Sequence, residues 1–148
     1  MNISKRGIDF IKSFESLKLT AYLCPAGVWT IGYGHTANVK RGDMITEEEA
    51  QKMLESDLAW VERTIQATVM VPLSQNQYDA LCSLIYNIGS AMFSNSTLLK
   101  CINNKTGEEA IEAQFKRWKF VNGRESKGLV NRRRKEVELW RGQGDNIF

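Results

Sequence analysis

The stretch from Glu15 to Thr36 constrains the fold most, because it carries the one strong β pattern in a sequence that otherwise has helical periodicity. Apolar and polar residues alternate between Leu19 and Tyr33, which predicts two or three short strands. The turn residues Pro25-Ala26-Gly27 interrupt the alternation near its centre. We therefore expect a small β-hairpin surrounded by helices, which is an α+β fold.

Helical periodicity on both sides of the hairpin predicts the remaining elements. Residues 4–15 place apolar side chains at three- and four-residue steps, with Ser4 as the N-cap of a short amphipathic helix. A capping box at Thr46 begins a long helix, and Ser74 begins a buried helix that Gly89 ends. Further helices are predicted over residues 96–102, after a capping box formed by Thr106 and Glu109, and over residues 129–140, with a loop at 123–128.

The length of 148 residues fits one domain, which we expect to divide into two lobes. Residues 15–45, approximately, form the predicted β-rich lobe. Residues 46–148 together with 1–14 form the predicted helical lobe, and the long helix joins the two. The N-terminal residues lack the continuous apolar core of a signal peptide or anchor, and no segment approaches the ~20 apolar residues of a membrane span.

Three widely spaced cysteines without a CxxC pair indicate a reducing compartment and give no sign of a zinc or redox-dithiol site. The net charge of +3 is compatible with an anionic polymer but selects no partner, and we expect no nucleic-acid partner. His35 is the one histidine, and we expect it to be structural and bonded within the hairpin. No metal or other cofactor is expected. The four tryptophans are assigned to the core: Trp29, Trp60, Trp118 and Trp140.

Glu15, Cys24 and Thr30 combine a carboxylate, a thiol and a hydroxyl in the pattern E-x8-C-x5-T, followed at once by I-G-x-G-H-T. Each residue alone has an ordinary structural explanation. Together with the hairpin they resemble the catalytic pattern of the phage T4-type lysozymes, glycoside hydrolase family 24, whose middle position is Asp or Cys. The resemblance extends over the whole chain, including the segment 71–89 and an arginine-rich C-terminal helix.

The resemblance implies a lysozyme-like fold with a cleft between the lobes. It implies an endolysin that hydrolyses the β-1,4 bond between N-acetylmuramic acid and N-acetylglucosamine of bacterial peptidoglycan. Glu15 is then the general acid. Cys24 could orient a water, stabilise positive charge as a thiolate or attack directly, and Thr30 can hold the water. Because the family looks inverting, we expect water to attack from the face opposite Glu15.

Further site residues are implied by the same resemblance. Asn131-Arg132 matches an Arg that pairs with the catalytic Glu, so an ion pair between Arg132 and Glu15 is predicted. The run Arg132-Arg133-Arg134-Lys135 is otherwise explained as a solvated helix face or as a surface that attracts the anionic wall polymer. Core packing is an alternative explanation of Tyr86. Substrate contacts are implied for Thr36, Tyr86, Asn87 and Ser96.

Two other functions remain open from the sequence. A lytic transglycosylase would cleave the same bond without consuming water, and a non-catalytic wall-binding module on a degenerate lysozyme fold would lack the acid. For an endolysin we expect a monomer that stays in the host cytoplasm until lysis. It would then reach the cell wall through a membrane lesion made by a holin.

Overall fold

The computed structural model describes residues 1–142, in which seven helices and four short strands follow one another. They are α1 (Lys5–Phe14), β1 (Lys18–Leu23), β2 (Trp29–Gly32), α2 (Glu47–Thr68), α3 (Gln75–Ile88), α4 (Ser90–Ser94), α5 (Thr97–Asn103), α6 (Glu108–Lys116), β3 (Phe120–Val121), β4 (Arg124–Glu125) and α7 (Lys127–Trp140). The predicted domain over residues 1–148 also includes 143–148, which lie outside the described residues. In the described part, no helix is both long and apolar enough to cross a bilayer.

The helices α1, α2 and α3 each begin at the side-chain cap that the sequence predicts. Ser4 accepts the backbone N–H of Gly7 at the start of α1. Thr46 and Ser74 each form a complete capping box at the start of α2 and α3. Gly89 ends α3 with φ +94°, a conformation that favours glycine. These boundaries are local in origin, which is why the sequence predicts them.

The predicted capping box at Thr106 is wrong. Gly107, with φ +111°, precedes α6 without any side-chain cap. The Thr106 hydroxyl instead donates to the carbonyl of Cys101 at 3.3 Å, in the turn after α5. The hydroxyl is therefore used to end one helix rather than to begin the next.

The predicted loop at 123–128 is also wrong. β3 and β4 pair antiparallel as a second hairpin, with Phe120 opposite Glu125. Asn122 and Gly123 both have positive φ at its turn, which is the Asn-Gly signal of a tight hairpin. α7 then begins at Lys127, two residues earlier than predicted, because the Ser126 hydroxyl accepts a backbone N–H of its first turn. The short helix α4 was not predicted at all.

The helix α3 lies at the centre of the helical part and packs against α1, α2 and α7. Its side chains Leu81, Leu84 and Ile85 are completely buried, and Phe10 and Ile11 of α1 are buried with them. Burial of side chains of this size contributes about 1.5–3 kcal/mol each. This packing brings the C-terminal end of α1 close to α7.

The first hairpin packs on α2 through β2. β1 and β2 are antiparallel, with Tyr22 opposite Thr30. His35 connects this region to α2 because its Nδ1 lies 2.8 Å from Asp57 Oδ2, while its Nε2 lies 3.0 Å from the Ala37 carbonyl oxygen. The backbone of His35 is bonded to Ile31 in the hairpin, as predicted, whereas its side chain is bonded to Asp57 of α2 and to the Ala37 carbonyl outside the hairpin.

Candidate active site

Glu15 is the first residue after α1. Its backbone leaves the helical conformation at φ −102° and ψ 111°, while its N–H still donates to the Ile11 carbonyl at 3.2 Å. The side chain is 20% exposed. Because Phe10 and Ile11 anchor α1 in the core, the helix holds this carboxylate at the boundary between core and solvent.

Arg132 of α7 lies against this carboxylate. Its Nη1 donates to Glu15 Oε2 at 2.6 Å, and its side chain is only 5% exposed. The Phe14 ring lies under the guanidinium, 4.9 Å from Cζ to the ring centroid. The structure thus brings together two residues that are 117 positions apart in the sequence.

The basic run at residues 132–135 divides between core and solvent. Arg132 and Arg133 are 4% and 1% exposed, so a uniformly solvated helix face is wrong for these two residues. Both form ion pairs with the fully buried Glu136. Arg134 is exposed and pairs with Glu138 on the same helix at 2.9 Å. The sequence run therefore does not correspond to one surface patch.

Cys24 follows β1 at the hairpin turn. Its N–H donates to the Val28 carbonyl at 3.0 Å, and the Gly27 N–H donates to the Cys24 carbonyl at 2.8 Å. The backbone N–H of Val28 lowers the pKa of the Cys24 thiol most, and the Ala26 N–H and the Thr30 hydroxyl lower it further against a smaller desolvation effect. The turn therefore favours the thiolate on a side chain that is partly exposed.

Thr30 on β2 is 4% exposed, and its Oγ1 donates to the Val28 carbonyl at 2.9 Å. The same hydroxyl is one of the groups that lower the pKa of the Cys24 thiol. Thr30 thus supports the turn that presents Cys24.

Tyr22 is affected by the charges of both Glu15 and Cys24. Burial raises the pKa of Tyr22 most, and the nearby negative charges of Glu15 and Cys24 raise it further. Both groups are therefore close enough to interact with the same phenol. Since Tyr22 also lies opposite Thr30 in the hairpin, all three residues of the E-x8-C-x5-T pattern lie in the neighbourhood of Tyr22.

Gly34 and Tyr86 shape the other side of Glu15. Gly34 has φ +85°, and a Cβ there would lie 2.8 Å from Glu15 Oε1, so no larger residue fits without a shift. The Tyr86 hydroxyl donates to the Tyr33 carbonyl beside it. Burial, with the negative charges of Glu15 and Asp57, raises the pKa of Tyr86 and keeps its phenol neutral. Tyr86 therefore holds the backbone that faces Glu15.

An open cleft of about 680 Å³ lies between the turn of the first hairpin and the helical part. One wall is formed by Cys24, Pro25 and Ala26; the other is formed by Asn87, Ile88, Arg117, Trp118, Phe120, Val121, Asn122 and Leu129. A neighbouring pocket of about 380 Å³ shares Arg117 and Trp118 with the cleft and includes Ser96. The second hairpin is thus part of the cleft wall.

The four residues that are predicted to contact substrate differ in their exposure and in their hydrogen bonds. Asn87 lines the cleft and is exposed, and Thr36 is exposed beyond the first hairpin. The Ser96 hydroxyl accepts a backbone N–H at the start of α5 and donates to the Phe93 carbonyl at 2.6 Å, so it caps a helix. The Tyr86 hydroxyl is engaged by the Tyr33 carbonyl.

The cleft also contains residues that the sequence did not assign to it. Trp118 was expected in the core, yet it is partly exposed and lines both the cleft and the neighbouring pocket. Trp140 is buried, whereas Trp29 and Trp60 are half-buried. Phe120 is 55% exposed on the second hairpin, and the Asn-Gly turn after it was the signal that could have identified its position.

Within residues 1–142 no group of three or more His, Cys, Asp or Glu side chains could hold a metal ion.

A family model described as phage lysozyme matches residues 12–136. The chain is 46% identical to the endolysin of Acyrthosiphon pisum secondary endosymbiont phage 1 and 45% identical to that of Salmonella phage P22. Both alignments extend over 145 residues and cover 95% of this chain and 98% of the relative. A SAR-endolysin of Enterobacteria phage P21 is 36% identical over 129 residues, covering 85% of this chain and 78% of the relative.

Solved structures agree with these matches. The muramidase domain of SpmX from Asticaccaulis excentricus superposes with a TM-score of 0.84 at 36% identity, covering 94% of this chain and 97% of that one. A mutant of P22 lysozyme gives a TM-score of 0.79 at 43% identity, covering 95% and 98%. The predicted α+β, lysozyme-like fold is thereby confirmed. The chain therefore belongs to the phage lysozyme family, whose members are glycoside hydrolases of peptidoglycan.

Proposed function

We propose that this protein is an endolysin, a muramidase that hydrolyses the β-1,4 bond between N-acetylmuramic acid and N-acetylglucosamine and so lyses the host cell. The family match and the endolysin and muramidase relatives support this activity. The observation that carries the assignment of the site is the Glu15 carboxylate, held at 2.6 Å by Arg132 beside the hairpin that presents Cys24. The reaction uses groups of the protein and one water, and no cofactor enters it.

Glu15 is the general acid in this proposal. It gives its proton to the glycosidic oxygen as the bond to the anomeric carbon breaks. Because Oε2 is held by Arg132, Oε1 is the oxygen that carries the proton to the substrate. Gly34 lies beside Oε1 and has no side chain to obstruct it.

Cys24 and Thr30 act on the water that attacks the anomeric carbon. The lowered pKa of Cys24 makes the thiolate more abundant near neutral pH than it is for an ordinary thiol. A thiolate can orient the water and stabilise the positive charge that develops on the sugar ring. Attack by water from the face opposite Glu15 inverts the anomeric carbon. Product NMR that shows a retained anomer would refute inversion and support direct attack by Cys24.

The cleft binds the glycan strand. Asn87 and the pocket that contains Ser96 contact the sugars, and Thr36 and Tyr86 complete the proposed set of contacts. Trp118 supplies an apolar ring surface of the kind that lines many ligand sites. The wall of the cleft is therefore shared between the end of α3 and the second hairpin.

We also propose that the protein is a monomer that remains in the host cytoplasm until a holin lesion admits it to the wall. In support, residues 5–14 form α1, whose buried side chains are committed to the core. Because some relatives are SAR-endolysins, the localisation of this protein before lysis is tested directly. Cell fractionation before lysis should find the protein in the cytoplasm, and a periplasmic pool at that stage would refute the proposal.

Digestion of purified murein tests the function. Glu15→Gln should lower the rate by about 10²–10⁴-fold, because a general acid contributes that much. Cys24→Ser should also lower the rate, and Cys24→Asp should retain activity. The matched control is Glu109→Gln, which changes an exposed carboxylate on α6.

Two results would overturn parts of this assignment. Full activity of Glu15→Gln would refute the proposed acid, and unchanged activity of Cys24→Ser would reduce Cys24 to a passive group. Mass spectrometry of the products separates the hydrolase from a lytic transglycosylase, because only the transglycosylase releases an anhydro sugar.

A further inference from the structure

Glu136 is a buried carboxylate that the mechanism above does not use. Its side chain on α7 is completely buried. Its Oε2 accepts the Ser83 hydroxyl at 2.6 Å, Arg132 Nε at 3.3 Å and Arg133 Nη2 at 3.1 Å. Arg133 Nε lies 2.7 Å from Oε1 as an ion pair. A carboxylate at this depth is costly unless donors and cations surround it, as they do here.

The same contacts fix the orientation of Arg132. Its Nε donates to Glu136, and its Nη2 donates to the Ser83 backbone carbonyl at 3.1 Å. The remaining nitrogen, Nη1, donates to Glu15. Because the guanidinium is a rigid plane, anchoring Nε and Nη2 determines where Nη1 points. The carboxylate of Glu136 and the backbone of α3 therefore aim Arg132 at the acid.

Charge balance gives Glu136 a second effect. The cluster contains two cations, Arg132 and Arg133, and two carboxylates, Glu15 and Glu136. Without Glu136, both guanidinium groups would be left with Glu15 as the one carboxylate of this cluster. Glu136 therefore supplies the carboxylate that the buried Arg133 guanidinium needs, while Arg132 pairs with Glu15 as well.

We propose that Glu136, together with Ser83, is a positioning residue for the general acid. It holds Arg132 so that Glu15 Oε2 is fixed, and it balances the charges of the two buried arginines. This inference rests on the proposed function, because it takes Glu15 to be the acid. It adds a residue that contacts neither substrate nor Glu15.

The test compares Glu136→Gln and Ser83→Ala with Glu138→Gln on purified murein. Glu138 is a matched control because it pairs with an arginine on the same helix but at the surface. We expect kcat of Glu136→Gln to fall by about 10–100-fold, the scale of a misplaced catalytic group. KM should change little, because Glu136 is not part of the cleft lining. Ser83→Ala should lower kcat by less, and Glu138→Gln should match the wild type in both constants.

A double-mutant cycle separates positioning from general stability. In an Arg132→Met background, Glu136→Gln should have little further effect on kcat if Glu136 acts through Arg132. Thermal unfolding is measured for each variant, and Ser83→Ala takes the place of Glu136→Gln if the latter does not fold. A folded Glu136→Gln variant with wild-type kcat would overturn the inference. Additive effects of Glu136→Gln and Arg132→Met in the cycle would also overturn it. Glu15→Gln is measured in the same series to separate the two claims. If it is inactive, the proposed role of Glu15 holds and the Glu136 result tests the inference alone. If it is active, the proposed function is refuted independently of Glu136.

Discussion

Gly34→Ala should lower the rate of murein hydrolysis, whereas its effect on the free energy of unfolding should be no larger than that of the same change at another glycine with positive φ. The backbone at Gly34 has φ +85°, where an L-residue costs about 1–2 kcal/mol. The added Cβ would also lie 2.8 Å from Glu15 Oε1, while an ordinary contact begins at 3.4 Å. The carboxylate must therefore move by about 0.6 Å away from the position that Arg132 sets. Since a 1 Å misplacement can cost about 10²-fold in rate, we expect a loss of about tenfold.

Gly42→Ala is the matched control for this prediction. Gly42 has φ +89°, and a Cβ there would meet nothing within 4 Å. Both variants should lose similar free energy of unfolding, with a decrease in Tm of roughly 2–4 °C per kcal/mol for a domain of this size. Murein hydrolysis, normalised to the folded fraction, should fall in Gly34→Ala alone. Equal activity of the two variants would show that Oε1 does not need the space beside Gly34, and would refute the reasoning.

Three further changes test single contacts. Alkylation of Cys24 by iodoacetamide should reach half its maximal rate at a lower pH in the folded protein than in the denatured chain, because the hairpin turn favours the thiolate. Reactivity is then lost only as pH falls through the lowered pKa, and an equal midpoint in the two states would contradict this. Asp79→Asn should lower the free energy of unfolding by about 1–3 kcal/mol in a denaturant titration, because Asp79 accepts both the N–H and the hydroxyl of Ser4 at the start of α1. Asp57→Asn should cost a similar amount through its 2.8 Å contact with His35, and an unchanged denaturation midpoint would show that other contacts hold the first hairpin.

Local chemistry explains which elements the sequence predicts. Ser4, Thr46 and Ser74 each use the side-chain hydroxyl to bond the backbone N–H three residues further on, so their effect is visible in a short window. The same rule fails at Thr106, because α6 begins only at Glu108, which makes Gly107 the N-cap and places Thr106 one position too early. The strands of the second hairpin are too short for a two-residue alternation to be detected, although Asn122 was a usable turn signal.

Long-range contacts were predictable only where a family pattern implied them. The proximity of Arg132 to Glu15 follows from no local spacing, and it was implied by resemblance alone. The contact between Ser83 and Glu136 joins residues 53 positions apart that no motif connects. Trp118 was assigned to the core because composition cannot distinguish a buried ring from one that lines a cleft. Such contacts depend on how α3 and α7 pack, which periodicity does not specify.

α1 and α7 both pack on α3, and this packing determines at which stage of folding Glu15 and Arg132 meet. Glu15 occurs early in the chain, but its partner is reached only 117 residues later. During synthesis, a chain that has not yet produced and docked α7 has the carboxylate without the guanidinium that fixes it. Fraying of α7 in the finished protein would separate the same pair while most of the helical content remained. Catalysis should therefore begin late in folding and be lost early in unfolding, so murein hydrolysis should report tertiary integrity more sensitively than circular dichroism does.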